Sequence, residues 1–365
     1  MTAGATTRAM VLEAPGRMAL HSFPRPALGP DEALLRVEMV GVCGTDVGVY
    51  RNKSYDATWP YPLILGHEIV GVVEEVGDTA ARRHGVASGD RVTISTIVGC
   101  GFCRPCRTGR PVHCDSTRKY GLTVSCAGPP HLWGGMAEHL YVDPRAFVHR
   151  LAPTTPPEVG VLISAVLANG IRWVGTRVSI GDTVVVVGPG PQGLAGLIAA
   201  REAGASKVIV CGLARDRRRL ELAREFGATD VLEADKDDPL ELVRDLTRGA
   251  MAEVAMDASG SRAGARLSLD LVGKGGKVIT PGLYGFDTEV PLILDKLVAK
   301  EITLHGVRSQ DVDSVIAAVR VAESGRYPLE KMVTHRFPLE RSADAIRLVA
   351  GEIPADDFVK AVVVP

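Results

Sequence analysis

From Gly181 onward the chain repeats one pattern: an apolar strand, a short turn, then a helix. "DTVVVVG" is followed by "PQGLAGLIAAREAG", which Gly204 closes. "KVIVCG" is followed by "DRRRLELAREFGA", with Gly227 as the stop signal. Asp238 and Pro239 open a third helix in "DDPLELVRDLTRG", as N-cap and first helical residue. Strand "AEVAMDASG", helix "SRAGARLSLDLVG" and strands "GKVITPG" and "EITLHGV" complete the series. Parallel strands cannot be joined by tight turns, so repeated units of this kind build a parallel sheet covered by its crossover helices. Residues 166–308 are accordingly read as a doubly wound α/β domain.

The first turn of the series is "GPGPQG", residues 188–193, a G-x-G-x-x-G held between strand and helix. Gly188 permits the tight turn, Gly190 lets a diphosphate approach the backbone, and Gly193 lets the helix pack against the strand. With Pro191 and Gln192 these residues form a dinucleotide site of the Rossmann type, the diphosphate lying on the helix N-terminus. Such sites place a carboxylate on the adenosine ribose about 20 residues further on. That position falls on Gly212, and "LARDRRR" follows. Loss of the acid removes repulsion against a 2′-phosphate, and Arg215 could bind one, which leans the cofactor from NAD toward NADP. Arg217, Arg218 and Arg219 fit the solvated face of the next helix better.

Residues 1–165 have a different texture. "ALLRVEMVGVC", "EIVGVVEEVG" and "DRVTIS" are strand patterns separated by Gly and Pro turns, which suits a barrel-like β domain. The mixed segment 309–365 ends in the strand-like "KAVVVP" and is expected to rejoin that domain. With a net charge of −1 the chain lacks the basic excess a nucleic-acid binder uses. The apolar run 159–168 is short and interrupted by Ser164, so no membrane span is expected, and the N-terminus lacks a hydrophobic signal core. The expected location is the cytoplasm.

Four of the seven cysteines, Cys100, Cys103, Cys106 and Cys114, stand in C-x2-C-x2-C-x7-C spacing. Four thiolates close a tetrahedral zinc shell and leave no position for substrate, so the segment around 98–116 reads as a structural zinc lobe. An iron–sulfur cluster or a redox pair are the alternatives. His113 reads as a bystander, and Cys126 and Cys211 as unliganded thiols. A dispersed second set contains Cys43, Thr45 and Asp46 in "GVCGTD" and His67 and Glu68 in "LGHEIVG".

CGTD, GHE, the four-cysteine loop and GPGPQG, in that order, together with "DASGS" and "GGKVITPGLYG", resemble the zinc-dependent medium-chain dehydrogenases that act on alcohols, polyols and threonine. The resemblance spans nearly the whole chain. It implies a GroES-like catalytic domain facing the Rossmann domain, with the substrate between them. It implies that Cys43 and His67 bind a catalytic zinc, with Glu68 beside them as a further ligand. It makes Asp46 the carboxylate that orients His67, and Thr45 the hydroxyl that hydrogen-bonds the substrate alcohol. The zinc would polarise the substrate oxygen, and NAD or NADP would carry the hydride. A homodimer or homotetramer with a small alcohol or carbonyl substrate follows from the same likeness, while the charge and hydropathy above lead to the expectation of no nucleic-acid or membrane partner.

Two positions depart from the family pattern. Ser164 stands where another zinc ligand is usual, with Glu158 too far along the helix to replace it, and Gly48 stands where a proton-relay histidine is common. Tyr50 or water would then complete the relay. His131 and Trp133 could approach the substrate or serve a turn and a core strand, with His139 in the same segment. Tyr55 and Trp59 could wall the pocket or pack a surface loop. Rival readings are a zinc-free enone or quinone reductase of the same superfamily, which Ser164 favours, and a non-catalytic redox or metal sensor.

Overall fold

The computed structural model describes residues 5–53, 58–285 and 288–365; Tyr55 lies outside them. The chain divides into two compact units. The first comprises residues 1–165, 310–356 and 360–365, and the second comprises 166–309 and 357–359. The short stretch 357–359 thus leaves the C-terminal segment, expected to rejoin the first unit whole, and joins the second.

In the second unit six parallel strands lie in the spatial order Asp230–Glu233, Lys207–Gly212, Thr183–Val187, Ala252–Asp257, Val272–Thr280, Thr303–Gly306. Numbered along the chain this order is 3-2-1-4-5-6, the doubly wound arrangement whose first strand sits centrally and delivers the first turn to the switch point. Val184, Val185 and Val186 are fully buried, as a strand covered on both faces requires. Asp238 caps the helix Pro239–Leu246 by accepting from the backbone of Leu240 and Glu241. Ser261 caps Arg262–Leu271 through Gly264 N.

In the first unit strands Val148–Arg150, Arg91–Ile94, Glu68–Val76, Ala33–Gly41, Lys360–Val364 and Val333–Pro338 run side by side, and His139–Val142 also pairs with Ala33–Gly41. A three-stranded sheet places Thr6–Ala14 between Arg17–Pro24 and Leu63–Ile64. The C-terminal strand pairs antiparallel with Ala33–Gly41, matching Val362 to Gly41, while Gly41 faces Glu68 on its other side. This register brings the two ends of the unit together at the segment that begins with Cys43.

The apolar run around Ser164 corrects one sequence expectation. It belongs to a helix, Pro157–Gly175, of 19 residues, long and apolar enough by length and composition to cross a membrane. Of its most apolar window 78% is buried inside the protein, which is the behaviour of a core helix. Two stretches of it, Ile163–Leu167 and Ile171–Gly175, are π-helical. The sequence pattern also failed to single out the helices Val312–Glu323 and Ser342–Val349 in the C-terminal segment.

Candidate active site

The spacing of CGTD has a local structural cause. Cys43 is the N-cap of the short helix Gly44–Tyr50. Its Sγ accepts from Thr45 N at 3.3 Å, and its own N–H donates to Asp46 Oδ2 at 3.0 Å. This is a capping box with sulfur in the place of a hydroxyl. The box spends one oxygen of Asp46 on the backbone and leaves Oδ1 facing His67 Nδ1 at 3.5 Å. The other ring nitrogen, Nε2, lies 3.2 Å from Cys43 Sγ. His67 and Glu68 sit at the start of a buried strand, and Asp46 and Glu68 are almost inaccessible.

Cys43, His67 and Glu68 offer ligand atoms all within 4.8 Å of one another. Zinc bonds of about 2.3 Å to sulfur and about 2.0 Å to nitrogen separate such atoms by roughly 3.5 Å, so the observed spacing suits a shared ion. The electrostatics agree. Burial works against the charged form of His67, but the Cys43 sulfur and then Asp46 overcome it, and its pKa rises well above the usual value. Burial also opposes ionisation of Asp46, yet His67, the Cys43 N–H and Lys360 hold its pKa below the usual value. A sulfur, an imidazole and two buried carboxylates gathered in this way make a setting that favours a cation.

The four-cysteine lobe brings its sulfurs together in the same way. All four lie within 4.8 Å of one another, with Cys100 and Cys106 4.0 Å apart. A tetrahedral zinc shell places sulfurs about 3.8 Å apart. Backbone N–H groups of Cys103 and then Phe102 pull the Cys100 thiol down to about 6. A backbone N–H from Cys106 favours the Cys103 thiolate, but burial and the other sulfurs push its pKa up to about 12. Four thiols this close cannot all ionise without a cation between them. Among the described residues these two clusters are the only groups of three or more His, Cys, Asp or Glu side chains with such spacing.

The glycine loop is built for close approach. Gly188 has φ +97°, and a Cβ there would stand 2.7 Å from Ser259 N. A Cβ on Gly193 would stand 2.0 Å from Gly188 O, whereas one on Gly190 would meet nothing within 4 Å. The open side of the turn is therefore at Gly190, the N-cap of Pro191–Glu202, whose first N–H groups have no side-chain cap. Gln192 lies in the first turn, its Oε1 3.4 Å from Asn169 Nδ2. At the end of the second strand, a Cβ on Gly212 would meet Pro189 Cγ at 2.9 Å. Arg215 is exposed, with no hydrogen-bond or ion-pair partner among the described residues. Arg217 and Arg218 pair with Glu221, and Arg219 with Asp216.

Sequence reasoning missed a brace beside this loop. Asp257, fully buried at the end of the fourth strand, accepts from Ser259 N and Oγ at 2.9 and 2.6 Å, and from Tyr284 OH. Burial, and then the Asp257 bond, raise the Tyr284 phenol well above its usual range. The brace ties the turn that packs on Gly188 to the loop after Val272–Thr280. "DASGS" and "LYG" were visible as motifs, but no periodicity pairs an Asp with a Tyr across a sheet.

The remaining candidates have other partners. Trp133 is buried and stacks with Tyr120, with Tyr141 at its edge. His131, at φ +64°, bonds Cys126 O through Nδ1 and stacks on Phe23. His139 is buried between Thr7 and Glu74. Glu158 pairs with Arg336, Tyr50 OH donates to Gly16 O, and Trp59 Nε1 donates to Lys53 O. Ser164 is fully buried, and its Oγ has no hydrogen-bond partner among the described residues.

A Rossmann unit joined to a β unit with a clustered Cys, His and Glu, the last two buried, defines a dinucleotide-dependent oxidoreductase architecture. Comparison with known proteins carries this further. Residues 29–153 match the alcohol dehydrogenase GroES-like domain family, and residues 191–324 the zinc-binding dehydrogenase family. The chain is 36% identical over 360 residues to the Mycobacterium tuberculosis protein named Probable alcohol dehydrogenase adh, covering 96% of each. It is 30% identical over 353 residues to the erythritol/L-threitol dehydrogenase of Mycolicibacterium smegmatis, covering 94% of each. An alcohol dehydrogenase of Thermotoga maritima superposes with a TM-score of 0.89 at 28% identity, over 99% of this chain and all of that one. The protein belongs to the zinc-dependent medium-chain dehydrogenase family, and it is an oxidoreductase of CH–OH groups.

Proposed function

We propose that the protein oxidises a secondary or polyol-like alcohol to a carbonyl compound, reversibly, with a lean toward NADP over NAD. The observation that carries this reading is the convergence of Cys43, His67 and Glu68 on one buried point, in a chain that also holds an open glycine loop. A divalent ion held there supplies Lewis-acid polarisation of the substrate oxygen, and the dinucleotide supplies the hydride acceptor. Cys43 and His67 are the ligands the reading assigns first, with Glu68 beside them. Asp46 fixes the His67 ring through Nδ1, so that Nε2 stays turned toward Cys43. Thr45, half-buried beside Cys43, is assigned to hold the alcohol hydroxyl and take up its proton. Gly190 and the helix N-terminus after it hold the diphosphate. The four-cysteine lobe, about 98–116, carries a structural zinc; residues 1–165, 310–356 and 360–365 form the catalytic domain, and 166–309 with 357–359 the dinucleotide domain. A panel of primary, secondary and polyol alcohols, run with both coenzymes on a sample of measured zinc content, tests the reading. Two zincs per chain and turnover of secondary alcohols or polyols support it; one zinc per chain and enone reduction overturn it.

The coenzyme lean has its own test. Arg215→Ala is expected to raise the KM for NADPH about tenfold or more, with the KM for NADH changing less than threefold, because a lone guanidinium–phosphate contact is worth roughly 1.5–3 kcal/mol. Equal effects on both coenzymes in steady-state assays would remove Arg215 from the site.

The same reading makes the protein a homodimer or homotetramer. Thr303–Gly306 is an edge strand with no neighbour beyond it among the described residues; Leu304 on it is exposed, as are Leu294 and Val298, which share a helix face at i, i+4. Sedimentation is expected to give two or four chains, and Leu304→Lys to shift the protein to smaller species. None of the seven cysteines is in a disulfide, which suits the reducing cytoplasm we assign, and cell fractionation checks that location.

A further inference from the structure

A cavity of about 400 Å³ lies in the first unit, walled by four separate pieces of chain. They are the end of the helix Asp78–His84, the lobe residues 99–111, the loop 144–147, and Val312 at the start of Val312–Glu323. No residue of the Cys43–His67–Glu68 cluster lines it, and Cys106 alone of the four lobe thiols does. Cavities of roughly 300–1,000 Å³ are the size that holds small molecules.

The lining divides by chemistry. Arg83, His84 and Arg145 make its polar part, and Arg83 joins the two segments by donating to Pro144 O at 2.5 Å. Asp31 balances Arg83, but Arg145 shares Asp143 with Arg118, so that two guanidinium groups meet one carboxylate. Among the described residues no carboxylate lines the cavity. His84 Nε2 is buried and has no hydrogen-bond partner among them. Burial, and then the charge of Arg83, hold His84 below its usual pKa, so the ring is neutral and Nε2 can carry its single N–H. Pro111, Phe147 and Val312 make the apolar part, and the same three line a smaller recess of about 10 Å³, room for one water-sized atom. Gln310 in that recess is 4% exposed, and its Nε2 has no acceptor among the described residues. Asp311, beside it, is committed to its own helix, accepting from Ser314 N at 2.9 Å.

Buried donors without acceptors are costly, and two of them stand around one cavity whose charged side chains are all cationic. A water can answer Gln310 in its small recess. Water cannot reward the apolar wall, which gains only when an apolar body covers it. A bare anion would forfeit that wall, and a neutral hydrophobe would leave Arg145 and His84 without a partner. We propose that this cavity is a second small-molecule site, apart from the catalytic one, for a monocarboxylate with an apolar ring system, the carboxylate held by Arg145 and His84 Nε2 and the rings by Phe147, Pro111 and Val312. So held, the ligand ties the lobe to the helix Asp78–His84 and to the first turn of Val312–Glu323. The site goes beyond the alcohol-oxidising reading and does not depend on it.

The test is isothermal titration of the zinc-loaded protein with 1-naphthoate, with 1-naphthamide as the uncharged isostere and acetate as the charge without the rings. Naphthoate is expected to bind one site per chain that both analogues fill at least about tenfold more weakly. Arg145→Gln removes the cation and is expected to raise the naphthoate Kd about tenfold. Val312→Trp fills the cavity from its apolar side and is expected to abolish the binding. Arg145→Gln decides alone should Val312→Trp fail to fold. Naphthoate taken up by the Cys43–His67–Glu68 cluster would persist in both variants and is told apart in that way. No binding of 1-naphthoate by the wild type, an affinity unchanged in either folded variant, or equal binding of the amide overturns the proposal.

Discussion

Cys43→Ser is expected to abolish turnover while the fold persists. Loss of a thiolate from a three-residue donor set removes the ion's firmest anchor, and Lewis-acid polarisation worth several kcal/mol goes with it, a loss of at least about 10³-fold in kcat. Serine keeps the N-cap role, because its hydroxyl accepts from Thr45 N as Sγ does, so the helix Gly44–Tyr50 stays capped. Zinc content should fall from two to one per chain. Dinucleotide binding, measured by fluorescence titration, should change little, since the glycine loop lies in the other unit. A variant that retains two zincs and full activity would remove Cys43 from the site.

Cys106→Ser is expected to do the reverse. The lobe has little apolar material of its own: Val98 and Val112 are buried, but Phe102 is 76% exposed, and apart from the cysteines and two prolines the rest is glycine or polar. In the proposed reading its order depends on the ion, as in other small metal-folded segments. Losing one of four ligands should cost about 3–5 kcal/mol, and at roughly 2–4 °C per kcal/mol the thermal midpoint should fall by about 10 °C. kcat per zinc-loaded chain, measured well below that midpoint, should stay within about threefold of wild type, on the order of 0.65 kcal/mol. An inactive variant of unchanged stability would interchange the two sites.

Much of this was legible in the sequence, for reasons that differ from element to element. The alternating strands and helices after Gly181 were readable because burial on both faces leaves an apolar run, and each turn carries its own punctuation. Asp238 and Pro239 announced a helix start that the structure places at the same residues. The residues of the two clusters were readable by type, and the roles proposed for them rest on the family likeness. What the sequence hid was set by tertiary pairing. Lys360 looks like a polar residue at the mouth of a strand, and Gly41 like a pause in an apolar run; only the strand order brings Lys360 to Glu68 as a buried ion pair across Gly41. Tyr284 and Asp257 are hidden for the same reason. The helix through Ser164 was hidden by a different cause. An apolar run buried in a core and one that crosses a bilayer share a composition, and only packing separates them.

The strand bearing Lys360 also orders events in the life of the polypeptide. During synthesis Cys43 and His67 leave the ribosome long before residue 360 is made. Until the late strand docks, the pocket for the ion has open walls and Glu68 has no counter-charge. In the proposed reading, metal insertion into the finished pocket is therefore a post-translational event, whereas the four thiols between Cys100 and Cys114, close together in the chain, would capture their ion while the nascent protein is still growing.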